Sequence, residues 1–175
     1  MPQGGFVAEP NRPVPAHRTQ IERILTRRTE TAARQEAEAE ALLCAHRLRI
    51  ERTAAYFRQC VHPVLHETAA VLRERGLSAE AGSVGPVGEP PRLALRVAEP
   101  NTNGHGPPKL LEGCLTLSAT ADLERVSAHE ETWRWRRGGA RRDAGTILLA
   151  DLGTAWVETC VLAFLNHLFL NDEAQ

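Results

Sequence analysis

Hydrophobic and polar positions in the first third of the chain follow a helical pattern. From Gln20 to Val61 there is neither glycine nor proline, and alanine, glutamate, arginine, glutamine and leucine dominate. These residues favour a helix because they lose little side-chain freedom in it. Thr19 and Glu22 have the spacing of a capping box, which predicts where the helix begins. One helix through this segment would be about 60 Å long, so we expect it to extend beyond a compact domain of about half that diameter.

An apolar stripe with steps of three and four residues runs along the second half of this helix. It includes Leu43, His46, Ile50 and Phe57, and the spacing continues more weakly towards the N-terminus. A heptad-like stripe is typical of helices that pack against another helix in a coiled coil. We therefore predict that these four side chains contact a second copy of the chain or another protein. The alternative is that the chain folds into a helical hairpin around residues 28–41.

Proline and glycine predict where the helical region is interrupted and where it ends. Pro63 disfavours helical geometry at His62, but a proline is tolerated in the first turn of a new helix. Gly76 followed by Leu77 is typical of a helix stop. Residues 81–91 are rich in glycine and proline, so we predict a linker there.

The second half of the chain changes to the alternating pattern of half-buried strands. Arg92–Ala98 and Leu110–Ala121 alternate apolar and polar residues, and 123–137 is rich in strand formers before a turn at Gly138-Gly139. A short fourth strand at 146–150 precedes a helix at about 151–170, which is apolar nearly all round and needs contacts on more than one side.

These patterns together predict an α+β fold with a three- to four-stranded antiparallel sheet and a C-terminal helix packed on it. The predicted organisation is a flexible tail over residues 1–16, a helical arm over 17–80 with a break near 62–63, the linker over 81–91, and the sheet with its C-terminal helix over 92–175.

Charge and cysteine content narrow the function classes. The 175 residues include 21 basic and 22 acidic side chains, so no strong overall field attracts nucleic acid or an anionic membrane. The N-terminus lacks a signal-like apolar run, and charged or polar residues interrupt the apolar segment near the C-terminus, so we expect no membrane partner. Four widely spaced cysteines are then expected to be reduced thiols, which favours a cytoplasmic location.

One segment combines tryptophan and arginine at a predicted hairpin tip. Aromatic rings and arginine forks are used to bind single-stranded nucleic acid, so a nucleic-acid-binding module is one alternative function. In the other interpretation the tryptophans face the core, and the arginines are solvated or pair with Glu36, Glu38 and Glu40 of a neighbouring helix. The candidate residues are Trp133, Arg134, Trp135, Arg136, Arg137, Arg141 and Arg142.

The sequence carries no specific catalytic or metal-binding motif. Cys60, His62 and His66 lack the spacing of a zinc site, so we predict neither metal nor cofactor. We predict no enzymatic activity, because no nucleophile motif is present. A third alternative is a small-molecule site between the sheet and the last helix, with His129 and His167 as its polar groups.

The favoured hypothesis is a non-enzymatic interaction or assembly protein that self-associates, most simply as a homodimer, or binds a partner through the helical arm. The tryptophans and arginines of the hairpin would then form a second surface for a protein client.

Overall fold

The structure, a computed structural model, describes residues 16–86, 88–99, 111–134 and 138–170. The chain divides into two compact units, Met1–Ala45 and His46–Gln175. The described part of the first unit is helical, and the second unit contains the rest of the fold. The elements are α1 (Ala16–Cys60), α2 (His62–Glu74), β1 (Ser78–Ser83), β2 (Arg92–Ala98), β3 (Leu111–Ala119), β4 (Arg125–Arg134), β5 (Gly138–Leu148), a 3-10 turn (Leu149–Asp151) and α3 (Thr154–Phe169).

Helix α1 is a single 45-residue helix, so residues 28–41 do not form a hairpin. Threonine hydroxyls along it bond to the backbone of the same helix. The hydroxyls of Thr26 and Thr31, for example, donate to carbonyl oxygens one turn back, at 2.9 and 2.7 Å. At the break, the Val61 amide still donates to the Phe57 carbonyl oxygen at 2.9 Å. Pro63 lies in the first turn of α2, where a backbone N–H has no carbonyl partner within the same helix and its loss is tolerated.

The sheet has five antiparallel strands in the order β1-β2-β3-β4-β5. The prediction of an α+β fold with an antiparallel sheet is confirmed, but the predicted number of strands is too low. β1 includes the first residues of the predicted linker, and β5 begins at the glycines that were predicted to form a turn. Both are edge strands with few buried side chains, so neither has the alternation that reveals β2 and β3.

Helices α2 and α3 pack on the same face of the sheet, which we call the inner face. α2 contacts β1 and β2, whereas α3 contacts β3, β4 and β5. Leu95 and Leu115 are register partners at the centre of this face, and neither is exposed to solvent. Within the described ranges, no helix is both long and apolar enough to cross a membrane.

A glycine lets α3 approach the sheet closely. A Cβ atom added at Gly113 on β3 would lie 2.7 Å from the Cδ1 atom of Leu168 and 2.9 Å from the Cζ atom of Phe164. Both side chains are buried, so they have no room to move aside. The absence of a side chain at this position therefore determines how closely α3 sits on β3.

We expect Gly113→Ala to lower the free energy of unfolding by about 1–3 kcal/mol, because the added methyl group overpacks the contact with α3. Urea denaturation measures the change. Gly82→Ala on β1 is the matched control, since a Cβ atom there meets no atom within 4 Å. Equal stability of the two variants would contradict the close approach of α3.

Candidate functional site

The residues of the predicted helical stripe fall into two environments. Leu43 and His46 are exposed, whereas Ile50 and Phe57 belong to the core of the second unit, where Phe57 is only 1% exposed. The apolar stripe thus continues into core contacts of the same chain. Ile50 and Phe57 are therefore not available to a partner in this structure, and the predicted partner contacts are restricted to the exposed part of the stripe.

Exposed apolar side chains cluster near both ends of the N-terminal segment of α1, which we define as residues 16–45. Single exposed leucines are ordinary on protein surfaces, but clusters of large apolar side chains often mark interaction sites. Each of these side chains is 52–72% exposed: Ile21, Ile24, Leu25, Leu42 and Leu43.

The charges of the N-terminal segment are separated along its length. Residues 18–34 contain five arginines and two glutamates, so this half is basic. Residues 35–45 contain Glu36, Glu38 and Glu40 and no basic residue, so this half is acidic. Arg18 and Glu22 form an exposed ion pair within the helix, at 3.4 Å.

The Trp/Arg segment does not form one surface in the described residues. Trp133 lies on the outer face of the sheet and is 37% exposed, so it does not face the core as one interpretation of the sequence required. Arg134 lies on the inner face, where its Nη2 atom donates to the carbonyl oxygens of His167 and Leu168 at 3.2 and 2.9 Å. This contact caps the last turn of α3. Trp135, Arg136 and Arg137 lie outside the described residues.

The remaining two arginines are also separated by the sheet. Arg141 pairs with Glu131 on the outer face, with 3.5 Å between Nε and Oε1, and both side chains are largely exposed. Arg142 lies next to His167 on the inner face. The arginines that the structure describes therefore do not present a common basic patch.

The inner face contains a polar cluster that the sequence did not indicate. Glu130 on β4 is 2% exposed, and its Oε2 atom lies 3.0 Å from Nδ1 of His167 on α3. The other carboxylate oxygen, Oε1, is buried without a hydrogen-bond partner among the described residues. Leaving a buried carboxylate oxygen unpaired is costly, and Glu130 is one of two buried polar residues, with Thr53, among those that the structure describes.

Contacts on both sides of the His167 ring determine its tautomer in the neutral state. The guanidinium of Arg142 contacts Nε2, and arginine can only donate hydrogen bonds. Nε2 must therefore accept, which places the ring proton on Nδ1, where it donates to Glu130. The ring thus links a buried carboxylate to an exposed arginine.

A cavity of about 300 Å³ opens beside this cluster. Two arginines and one glutamate line it, so its fixed charge is positive when His167 is neutral. His129, the second histidine of the predicted small-molecule site, is on the outer face opposite Thr116 and does not join His167. The lining residues are Glu130, Thr132, Arg134, Gly138, Gly139, Ala140, Arg142 and His167.

The sequence did hold a signal for Glu130. Alternation along β4 places Glu130 on the same face as Val126 and Ala128, which are buried. On α3, His167 lies seven residues after Cys160, two helical turns further along the side that faces the sheet. The sequence pattern therefore indicates a carboxylate on the buried face of a strand and a histidine on the buried side of a helix. It does not show that the two side chains pair.

Burial raises the pKa of the Cys160 thiol to about 11, and the negative charge of Glu130 acts in the same direction. The thiol therefore stays protonated at neutral pH and is a poor nucleophile. All four cysteines of the chain are free of disulfide bonds.

His62 and His66 stack on each other in the first turns of α2, with 3.9 Å between their ring centroids. Desolvation lowers the pKa of His66, and the nearby charges of His62 and Arg73 lower it further. Among the described residues, no group of three histidine, cysteine, aspartate or glutamate side chains is arranged to hold a metal ion.

Comparison with protein-family models, curated proteins and solved structures finds no match to this chain.

We expect His167→Ala to lower the free energy of unfolding by about 3 kcal/mol, because it leaves the Glu130 carboxylate buried without its hydrogen-bond donor. Adding Glu130→Gln should recover much of the loss, since a neutral amide is cheaper to bury. Urea denaturation of both single variants and the double variant measures the coupling. Additive effects would show that the two side chains do not interact.

Proposed function

We propose that this protein is a non-enzymatic assembly protein that self-associates through the N-terminal segment of α1, the exposed part of the predicted helical arm. The observation that carries the proposal is the group of five large apolar side chains, each more than half exposed, on a segment whose described residues include no buried side chain. A second copy of the segment is the simplest partner, because it closes the assembly as a symmetric dimer.

Helix energetics support this proposal. An isolated helix owes little of its stability to propensity alone and normally depends on packing of an apolar face. Burying a fully exposed leucine or isoleucine stabilises by about 1.5–3 kcal/mol. Pairing would therefore both order the segment and remove its exposed apolar surface from water.

The polar cluster under α3 supports a non-enzymatic role. Both ring nitrogens of His167 are engaged, one by Glu130 and the other by Arg142. A histidine held at both ring nitrogens contributes to the contact between α3 and the sheet, which gives it a structural role. We also propose a cytoplasmic location, which the four free cysteines support.

We expect the protein to sediment as a dimer, and Leu43→Glu to weaken the dimer at least about tenfold, because a charge replaces a buried leucine in each copy. Sedimentation equilibrium over a concentration series measures the Kd. Leu48→Glu is the matched control: Leu48 is 54% exposed and is about 140° further round the helix than Leu43. A monomeric wild-type protein, or equal effects of the two variants, would contradict the proposal.

The cavity beside His167 favours a second candidate function, the binding of a small anion such as a phosphate or carboxylate compound. Its support is the pair of guanidinium groups in the lining, which form forked hydrogen bonds with such anions. This function is compatible with self-association, because the cavity residues belong to the sheet and α3.

For this second function we expect phosphate to raise the Tm of the wild-type protein relative to sodium chloride at equal ionic strength. Arg142→Ala should remove that difference, since it deletes one of the two guanidinium groups. Thermal unfolding in matched buffers measures both effects. An equal phosphate effect on both proteins would indicate a general salt effect and no site.

A further inference from the structure

We infer that two copies of the protein pair in an antiparallel arrangement through their N-terminal segments, with Ala32 at the centre. This inference rests on the proposed self-association and adds the orientation and register of the two helices. It is carried by a symmetry in the order of side chains along one face of α1.

The residues on this face have the same spacing in both directions. Starting from Ile21, the steps along the chain are 4, 3, 4, 4, 3 and 4 residues. At about 100° per residue, these positions form a stripe about 80° wide on one side of the helix. The stripe consists of Ile21, Leu25, Arg28, Ala32, Glu36, Ala39 and Leu43.

In an antiparallel pair centred on Ala32, each residue of the stripe meets the residue at the same distance on the other side of the centre. Ile21 then faces Leu43 of the second copy, Leu25 faces Ala39, and Ala32 faces its own equivalent. Ile24 and Leu42 come together on one edge of the stripe. All five exposed large apolar side chains are thereby covered, and the small alanines let the two backbones approach.

The charged residues of the stripe favour this orientation over a parallel one. In the antiparallel register Arg28 faces Glu36 of the second copy, and symmetry forms this pair twice. A parallel pair in register would instead place Arg28 against Arg28 and Glu36 against Glu36. Opposite charges that meet across a helix–helix contact favour one orientation of the helices in this way.

Charge complementarity holds over the whole segment as well. The antiparallel register brings residues 19–29 of one copy, which carry three arginines and one glutamate, opposite the acidic residues 35–45 of the other. Within residues 16–45 one kind of like-charge contact remains, and symmetry forms it twice, because Glu22 of each copy lies near Glu40 of the other on the second edge. Arg18, which is 3.4 Å from Glu22 within its own helix, offsets that repulsion.

Cross-linking between substituted cysteines tests the orientation. We use full-length protein with Cys44→Ser to remove the exposed thiol, and introduce either Ile21→Cys or Leu43→Cys. In the antiparallel pair, a mixture of the two variants gives a cross-link between the two different positions with a short bismaleimide. In a parallel pair these positions are about 33 Å apart, beyond the reach of the reagent, and each variant cross-links to itself.

The outcomes separate the orientation from the proposed function. Cross-links between unlike positions, mapped by peptide mass spectrometry, support the antiparallel register. A dimer that cross-links position 21 only to position 21 overturns the register but leaves self-association intact. If the protein stays monomeric at every concentration, both the register and the self-association are overturned. The same holds if it binds only to a different protein. The Cys44→Ser parent controls for the remaining cysteines.

Charge reversal provides a second test that does not depend on the cross-linker. Arg28→Glu and Glu36→Arg each convert two attractive pairs into repulsive ones, so each should weaken the dimer by about fivefold or more. The double variant restores opposite charges and should recover the wild-type Kd. In a parallel pair the single variants merely exchange one like-charge contact for another, so unchanged Kd values would overturn the register. Circular dichroism confirms that each variant remains helical.

Discussion

Helix α1 is continuous over 45 residues but buries side chains only in its last turns. Ile50, Thr53 and Phe57 are its buried residues, and they belong to the second unit. The hydrophobic effect therefore stabilises one end of the helix, whereas the other depends on propensity, ion pairs and any partner it binds. This difference is the constraint from which the proposed self-association follows, because the exposed end still carries large apolar side chains.

The sequence predicted the strands in which apolar residues alternate with polar or small ones, because this alternation identifies the buried face of a strand. Leu93, Leu95 and Val97 alternate with polar or small residues, and β2 has the predicted bounds. β1 and most of β5 lack such alternation. They are held in the sheet mainly by pairing with a neighbouring strand and bury few side chains of their own. Local sequence cannot show pairing of this kind, since it depends on the partner strand.

The polar cluster also depends on how separate elements pack together, which the local sequence does not show. Alternation along β4 places Glu130 on the buried face with Val126 and Ala128, and Glu131 on the opposite face, but the sequence did not show which residue of α3 Glu130 would meet. That depends on how α3 crosses β4, which Gly113 and the residues of α3 determine together. Glu131 lies on the outer face with Arg141, and Glu130 meets His167. The arginines between positions 134 and 142 form a group in the sequence. Alternation along β4 and β5 nevertheless places Arg134 and Arg142 on the inner face and Arg141 on the outer face.

The composition of the α1 stripe bears on the strength of the proposed pairing. Its apolar residues are near the two ends of the stripe, and the centre holds alanine, arginine and glutamate. Such an interface buries less apolar area than a coiled coil with leucine at every core position, and part of its specificity comes from exposed charges that salt screens. The pairing should therefore be reversible and concentration-dependent, with the charges deciding orientation and the terminal apolar clusters supplying most of the affinity. An assembly protein with these properties can exchange partners, which an obligate dimer with a continuous apolar core cannot easily do.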